Sequence, residues 1–295
     1  MKSRKIGLHQ FMAVPAFALY AVFFIYPLLK GIGLCFTDWD GIKAAHFVGL
    51  RNFIDFFHDQ RALSDIRTTV LFTLGSAPLL NIVGLIYALL MNSEFRGKSI
   101  ARMCIYMPAI ISPLIMGYIW YFLLQPGRGF LYHFFDGLGH PEWFGNWMGN
   151  YKSALLVIVL VNVWQYAGMT MVIYLAGLQG ISRDLYEAAR IDGCSNLGIF
   201  WRIAMPLLKP AWSTLAVFSF VSNWNDYFSP LIFIRSDALK TLPLALQTLA
   251  GGAGVVARAG TVGAATLITT LPSIIVFAIF RGKVMETMTY SGIKS

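Results

Sequence analysis

Charge is what this sequence has least of. Only 13% of its 295 residues are Asp, Glu, Lys or Arg, 57% are hydrophobic, and the mean hydropathy is +0.63. A soluble domain carries roughly 25% charged residues, so this chain cannot cover an aqueous surface. The charges it does carry are grouped. None falls between Lys5 and Lys30, Arg67 and Glu94, Arg102 and Arg128, Lys152 and Arg183, or Arg258 and Arg281. A sixth gap, Lys209 to Arg235, is broken only by Asp226. Each gap holds the ~20 apolar residues that cross a bilayer as a helix. Lipid offers the backbone no hydrogen bonds, so such segments are helices and not isolated strands. Gaps of that length also argue against a soluble protein with six buried core helices.

Constellations that carry covalent or metal chemistry are missing as well. The three cysteines, Cys35, Cys104 and Cys194, have no metal-ligand spacing. The five histidines form no H-E-x-x-H pattern. No catalytic residue and no metal ligand is therefore nominated, which argues against a membrane-embedded enzyme. Gly97-Lys98-Ser99 looks like the end of a phosphate-binding loop, but Asn92 stands where the earlier glycine is required and a span precedes it instead of a strand. No repeat of 20–50 residues and no separate soluble domain is visible, so residues 1–295 read as one transmembrane domain.

What is present is an all-α integral membrane protein with spans expected at about 11–34, 68–91, 103–125, 153–178, 210–234 and 259–280. The first follows Lys2, Arg4 and Lys5, exceeds the apolar core of a cleaved signal, and reads as uncleaved. Six spans place both termini on one side. Segments 1–10, 92–102, 179–209 and 281–295 hold thirteen Lys and Arg, against ten in the longer opposite set. By the positive-inside rule the first set, with both termini, is cytoplasmic. The net charge of +9 is then a topology bias and needs no nucleic-acid partner. Two cysteines fall on that side, against a disulfide framework. Trp120, Trp143, Trp147 and Trp212 lie near expected span ends, where amphipathic rings favour the lipid headgroups.

Between the fourth and fifth spans some thirty residues leave the membrane. Ser182 is a good N-cap, Asp184 complements the helix dipole in the first turn, and Ile181 with Tyr186 forms a hydrophobic staple. A helix through Leu185, Glu187, Ala188, Ala189 and Arg190 should stop at Gly193. Leu185, Ala188 and Ala189 are expected on one side. Ser195 caps a second helix that Pro206 helps to end. On geometry alone such a hairpin lies on the membrane or docks a protein.

The residues of this loop resemble a known family. Tyr186-Glu187-Ala188-Ala189-Arg190-Ile191-Asp192-Gly193, followed by Ile203-Ala204-Met205-Pro206-Leu207-Leu208-Lys209-Pro210, is similar to the EAA motif of ABC-importer permeases. Phe47-Val48-Gly49-Leu50-Arg51-Asn52-Phe53, Arg96-Gly97 with Arg102, Met107-Pro108 and Leu175-Ala176-Gly177-Leu178-Gln179 extend the likeness to the carbohydrate branch. The resemblance implies a type I importer permease fold in a prokaryotic cytoplasmic (inner) membrane. It implies that Glu187, Ala188, Ala189, Asp192, Gly193 and Pro206 belong to a coupling helix seated on a cytoplasmic ATPase. The implied partners are two ATPase subunits, which bind ATP and Mg, a second permease subunit and an extracytoplasmic solute-binding protein. This chain itself would hold no cofactor and hydrolyse nothing. The implied function is uptake of a sugar or oligosaccharide by alternating access. From Trp224-Asn225-Asp226-Tyr227-Phe228 onward the chain resembles the other half of such permease pairs, so a heterodimer is expected and a homodimer stays open.

Inside the membrane, Asp226 is the single acidic residue of an expected span, and it serves either the substrate pathway or a brace at a broken helix end. Asn225 is its polar neighbour, and Trp224 offers a ring for sugar stacking. Asn81, Asn162 and Gln165 either contact substrate hydroxyls or hydrogen-bond between helices. An ion-coupled secondary transporter is the rival reading. It would place a coupling-ion site at broken helices of inverted repeats, which this sequence does not display.

Overall fold

The computed structural model describes residues 13–41, 43–140, 147, 149–234, 240–250 and 259–292. Trp143 and both extreme termini lie outside the described residues, so the expected orientation of the ends has no structural counterpart here. Among the described residues the chain is helical, with one isolated antiparallel bridge between Thr37 and Phe47 and no strand.

In chain order the helices are α1 (Ala13–Leu34), α2 (Arg51–His58), α3 (Gln60–Asn92), α4 (Lys98–Ile110), α5 (Pro113–Leu123), α6 (Phe130–Gly137) and α7 (Tyr151–Gln179). Then follow α8 (Arg183–Ile191), α9 (Asn196–Leu207), α10 (Lys209–Trp224), α11 (Phe228–Phe233), α12 (Leu242–Ala250) and α13 (Ala259–Gly292). Among the described residues α1, α3, α7 and α13 are each long and apolar enough to cross a membrane. The number rises to six if two bent pairs, α4 with α5 and α9 with α10, each count as one span.

Those bent pairs correct two expected spans. The third, 103–125, is not one rod: α4 and α5 meet at 96°. Pro113 opens α5, and the residue before a proline is driven out of the helical region; Ser112 accordingly adopts φ −51°, ψ 134°. The fifth, 210–234, stops at Trp224 and resumes only as the short α11. Its true neighbour is α9, from which α10 diverges by 68°. Proline again marks the bend, with Pro206 in the last turn of α9 and Pro210 in the first turn of α10. Pro206 stands one residue before the end of its helix at Leu207. It follows a π-helical turn, Phe200–Ala204, in which the backbone pattern widens before the residue that lacks an N–H.

The chain divides into two compact units, the smaller from residues up to Ala62 with Leu246–Thr270, the larger from Leu63–Ala245 with the rest. In the smaller, buried Asn52 of α2 donates from Nδ2 to the carbonyls of Cys35 and Thr37, both at 2.8 Å, tying α2 to the end of α1. The core of the larger is built around α7. Phe72 and Leu80 of α3 pack with Val157, Ile158, Val161 and Ala167 of α7 and Phe233 of α11. Farther along, Ala88 and Met91 of α3 pack with Met171, Tyr174, Leu175 and Leu178 of α7, Ala204 of α9, Leu208 and Leu215. Helix α4 approaches α7 at Gly168, where a Cβ would clash with the Ile105 carbonyl oxygen and sit 2.7 Å from the Tyr106 Cα. Small residues at such crossings let membrane helices touch backbone to backbone.

Candidate functional site

Two features of the larger unit can do chemical or mechanical work. The first is the hairpin α8–α9. The Ser182 side chain accepts from the Asp184 N–H at 3.2 Å, capping α8. At the other end Gly193 adopts φ +77°. Its N–H donates to the Arg190 carbonyl at 3.0 Å, and that of Cys194 to the Ala189 carbonyl at 2.9 Å. This pair of bonds is the Schellman stop, and glycine meets its left-handed geometry without a Cβ penalty. Ser195 then caps α9 by accepting from the Gly198 N–H at 3.2 Å. Ile181 and Tyr186, the staple residues, are both partly buried. Burial pushes the Tyr186 hydroxyl above its ordinary pKa.

The hairpin has an inner and an outer side. Asp184, Glu187, Ala188 and Ile191, spaced as one helical face, are all exposed, as are Asp192 and Gly193. Ala189 is buried at 6% exposure, so it does not share the side of Leu185 and Ala188 as expected. Its place in the helical repeat turns it inward with Ile199, Ala204 and Leu208, which are buried too. Leu208, in the elbow between α9 and α10, sits against Gly177 of α7, where an added Cβ would approach it to 2.8 Å. The hairpin is thus seated on the membrane helices by an apolar inner face.

The second feature is a cavity of about 450 Å³, within the size range of small-molecule sites. Helix α7 lines it with Asn162, Tyr166, Met169, Thr170 and Ile173, and α10 with Leu215, Phe218, Ser219, Ser222 and Asn223. Asn225, Asp226, Tyr227 and Phe228, in and beside the break after α10, complete much of the wall. Asp226 Oδ1 accepts from the N–H groups of Phe228 at 2.9 Å and Ser229 at 3.1 Å, capping α11. Asn162 is 4% exposed, and its Oδ1 has no hydrogen-bond partner. Among the described residues no three His, Cys, Asp or Glu side chains gather as a metal site.

Residues 81–284 match the family described as binding-protein-dependent transport system inner membrane component. The chain belongs to that family. It is 33% identical over 228 residues to a probable starch degradation products transport system permease protein of Thermoanaerobacterium thermosulfurigenes, covering 77% of this chain and 76% of the relative. It is also 33% identical over 218 residues to the sn-glycerol-3-phosphate transport system permease protein of Yersinia enterocolitica, covering 74% and 73%. A crystal structure of a bacterial alginate ABC transporter with its periplasmic protein shares the fold, with TM-score 0.79 at 18% identity and 92% of each chain covered. The chain is a permease subunit of the ABC-importer type in the inner membrane, not an enzyme, ATP hydrolysis lying in a separate subunit.

Within this permease the expected pathway residues part company. Asn162, Asn225 and Asp226 line the cavity, whereas Asn81, Gln165 and Trp224 do not. Asn81 Nδ2 donates to Ser219 Oγ at 2.8 Å and its Oδ1 accepts from the Tyr174 hydroxyl at 3.0 Å, joining α3, α7 and α10. Gln165 points from α7 toward the Ile111 carbonyl at the α4–α5 bend, 3.5 Å away. Trp224 is buried and stacked on Phe220, ring centroids 5.7 Å apart. Asn225 donates to Ser273 Oγ of α13 at 2.9 Å. Asp226 lies in the break after α10, not inside a span, and there it both caps α11 and lines the cavity. Sequence reasoning missed Tyr166, Thr170, Ser219, Ser222 and Asn223. Their signal was present: steps of three and four from Asn162 and back from Asp226 put them on single faces of α7 and α10.

Proposed function

We propose that this permease forms part of the pore of an ATP-driven importer for a sugar or oligosaccharide, switching by alternating access. The observation that carries the reading is the two-sided hairpin: an exposed face bearing Glu187, Ala188 and Asp192 backed by a buried face set on α7 and α10. Those two helices also line the cavity, so a displacement of the hairpin is delivered to the cavity wall through packed side chains. The outer face docks on a cytoplasmic ATPase subunit, with Glu187 as the charge partner and Gly193 setting the turn. Both termini then lie on that side. ATP and Mg are held by two ATPase subunits, and a second permease subunit and an extracytoplasmic solute-binding protein complete the assembly. The sugar class is supported by the relative described as a probable permease for starch degradation products and by a largely apolar cavity wall that carries aromatic, hydroxyl and amide side chains.

The test is uptake by the assembled importer carrying Glu187→Lys or Gly193→Pro. Glu187 is exposed, so its replacement leaves the fold intact, whereas proline at 193 can neither adopt φ +77° nor donate to Arg190. Transport falls to background in both, with membrane insertion unchanged. Normal uptake by both variants sinks the coupling role.

A further inference from the structure

The permease's relatives carry cargo of different charge: starch degradation products in one system, sn-glycerol 3-phosphate in another, and the acidic polysaccharide alginate in the structural neighbour. The cavity of this chain discriminates between these. Among the described residues lining it there is no Lys, Arg or His, and the one ionisable acid is Asp226. Asp226 accepts two backbone N–H bonds through Oδ1, which fixes its carboxyl group at the cavity wall. Phosphate and carboxylate groups bring only further acceptors and negative charge. Sugar hydroxyls bring donors.

We infer that this cavity is selective for uncharged, hydroxyl-rich carbohydrate and rejects phosphorylated and uronate ligands, with Asp226 as the excluding charge. The inference rests on the carbohydrate reading above and narrows its substrate class. A ligand anion about 6 Å from a carboxylate, at an effective dielectric of about 20, is disfavoured on the order of a hundredfold before screening. Solvent and salt reduce this, and a preference of at least about tenfold remains the expected reading.

The test titrates maltotriose, sn-glycerol 3-phosphate and an alginate trisaccharide onto the detergent-solubilised importer without its binding protein, so that the permease alone sets the preference. Maltotriose binds at least about tenfold more tightly than either anion. Asp226→Asn narrows that ratio to about threefold or less, because the amide keeps the cap on α11 and removes the charge. Asp226→Ser, which caps equally well, gives the same narrowing and guards against a folding defect in the first variant. An anion binding as tightly as maltotriose in the unmodified importer overturns the inference, and so does a ratio that neither variant moves. Failure of all three ligands to bind an importer that hydrolyses ATP normally sinks the carbohydrate reading itself, and the inference with it.

Discussion

Helices α1 and α7 have the same mean hydropathy, 1.8 over their most apolar windows, yet none of that window is buried in α1 and 61% of it is in α7. Hydropathy therefore places both in lipid without saying which of them is packed by its own chain. The difference lies in what interrupts the apolar residues. From Ala13 to Leu29, α1 carries no Ser, Thr, Asn or Gln, and Phe17 and Phe23 stand more than 70% exposed. Helix α7 carries Asn162, Gln165, Gly168 and Thr170 within nine residues, and all four are buried. With lipid tails as apolar as leucine, helices associate through close approach at small residues and through polar bonds, not through hydrophobicity.

The comparison can be broken most severely at Gly168. Gly168→Val drives two methyl groups into the backbone of α4 at Ile105 and Tyr106, which cannot retreat as a side chain would. A loss of about 3 kcal/mol is expected, the upper part of the overpacking range, read as a lowered Tm of the permease in detergent. If Gly168→Val leaves Tm unchanged, α4 does not lie on α7 and the account of the core fails. A smaller effect is expected at Asn81, which bridges α3 to α7 and α10. Asn81→Ala removes bonds to Ser219 and Tyr174, and polar contacts of this kind are worth about 0.6–1.7 kcal/mol in membrane proteins. Tyr174→Phe in the same background should add little, since the two act on one network. Double-mutant unfolding checks that non-additivity. The smallest effect belongs to α1, where Phe23→Leu should shift the stability of the isolated subunit by no more than about 0.5 kcal/mol. A large shift there would show that α1 is packed by the rest of its own chain.

The hairpin was legible because its signals are local. Ser182, Asp184, Gly193 and Ser195 act on backbone groups two to five residues away, so their order in the chain is enough to place the caps and the turn. Ala189 was misplaced because Leu185, Ala188 and Ala189 are neighbours on any helical projection. Only the way α9 folds back on α8 decides which edge of that neighbourhood is covered. The sharp corner within the third expected span escaped for a related reason. Ser112-Pro113 was in view, but a proline inside an apolar stretch permits anything from a slight kink to a corner. The 96° turn depends on α5 packing against α11, where Gly117 receives Ile232, and on the approach of Gln165 to Ile111.

The polar residues in the membrane separate the two levels most clearly. Composition and spacing alone determined that the chain is a helical membrane protein, that its charges flank apolar spans, and that a capped hairpin interrupts them. These follow from backbone hydrogen bonding in lipid and from bonds spanning a few residues. Tertiary structure alone decided that Asn81 joins helices while Asn162 and Asp226 face a cavity. An amide on a membrane helix has the same propensity and the same hydropathy in either role. What distinguishes the roles is the surroundings, Ser219 and Tyr174 for Asn81 and the lining of a cavity for the others, and both are assembled from helices tens of residues apart along the chain.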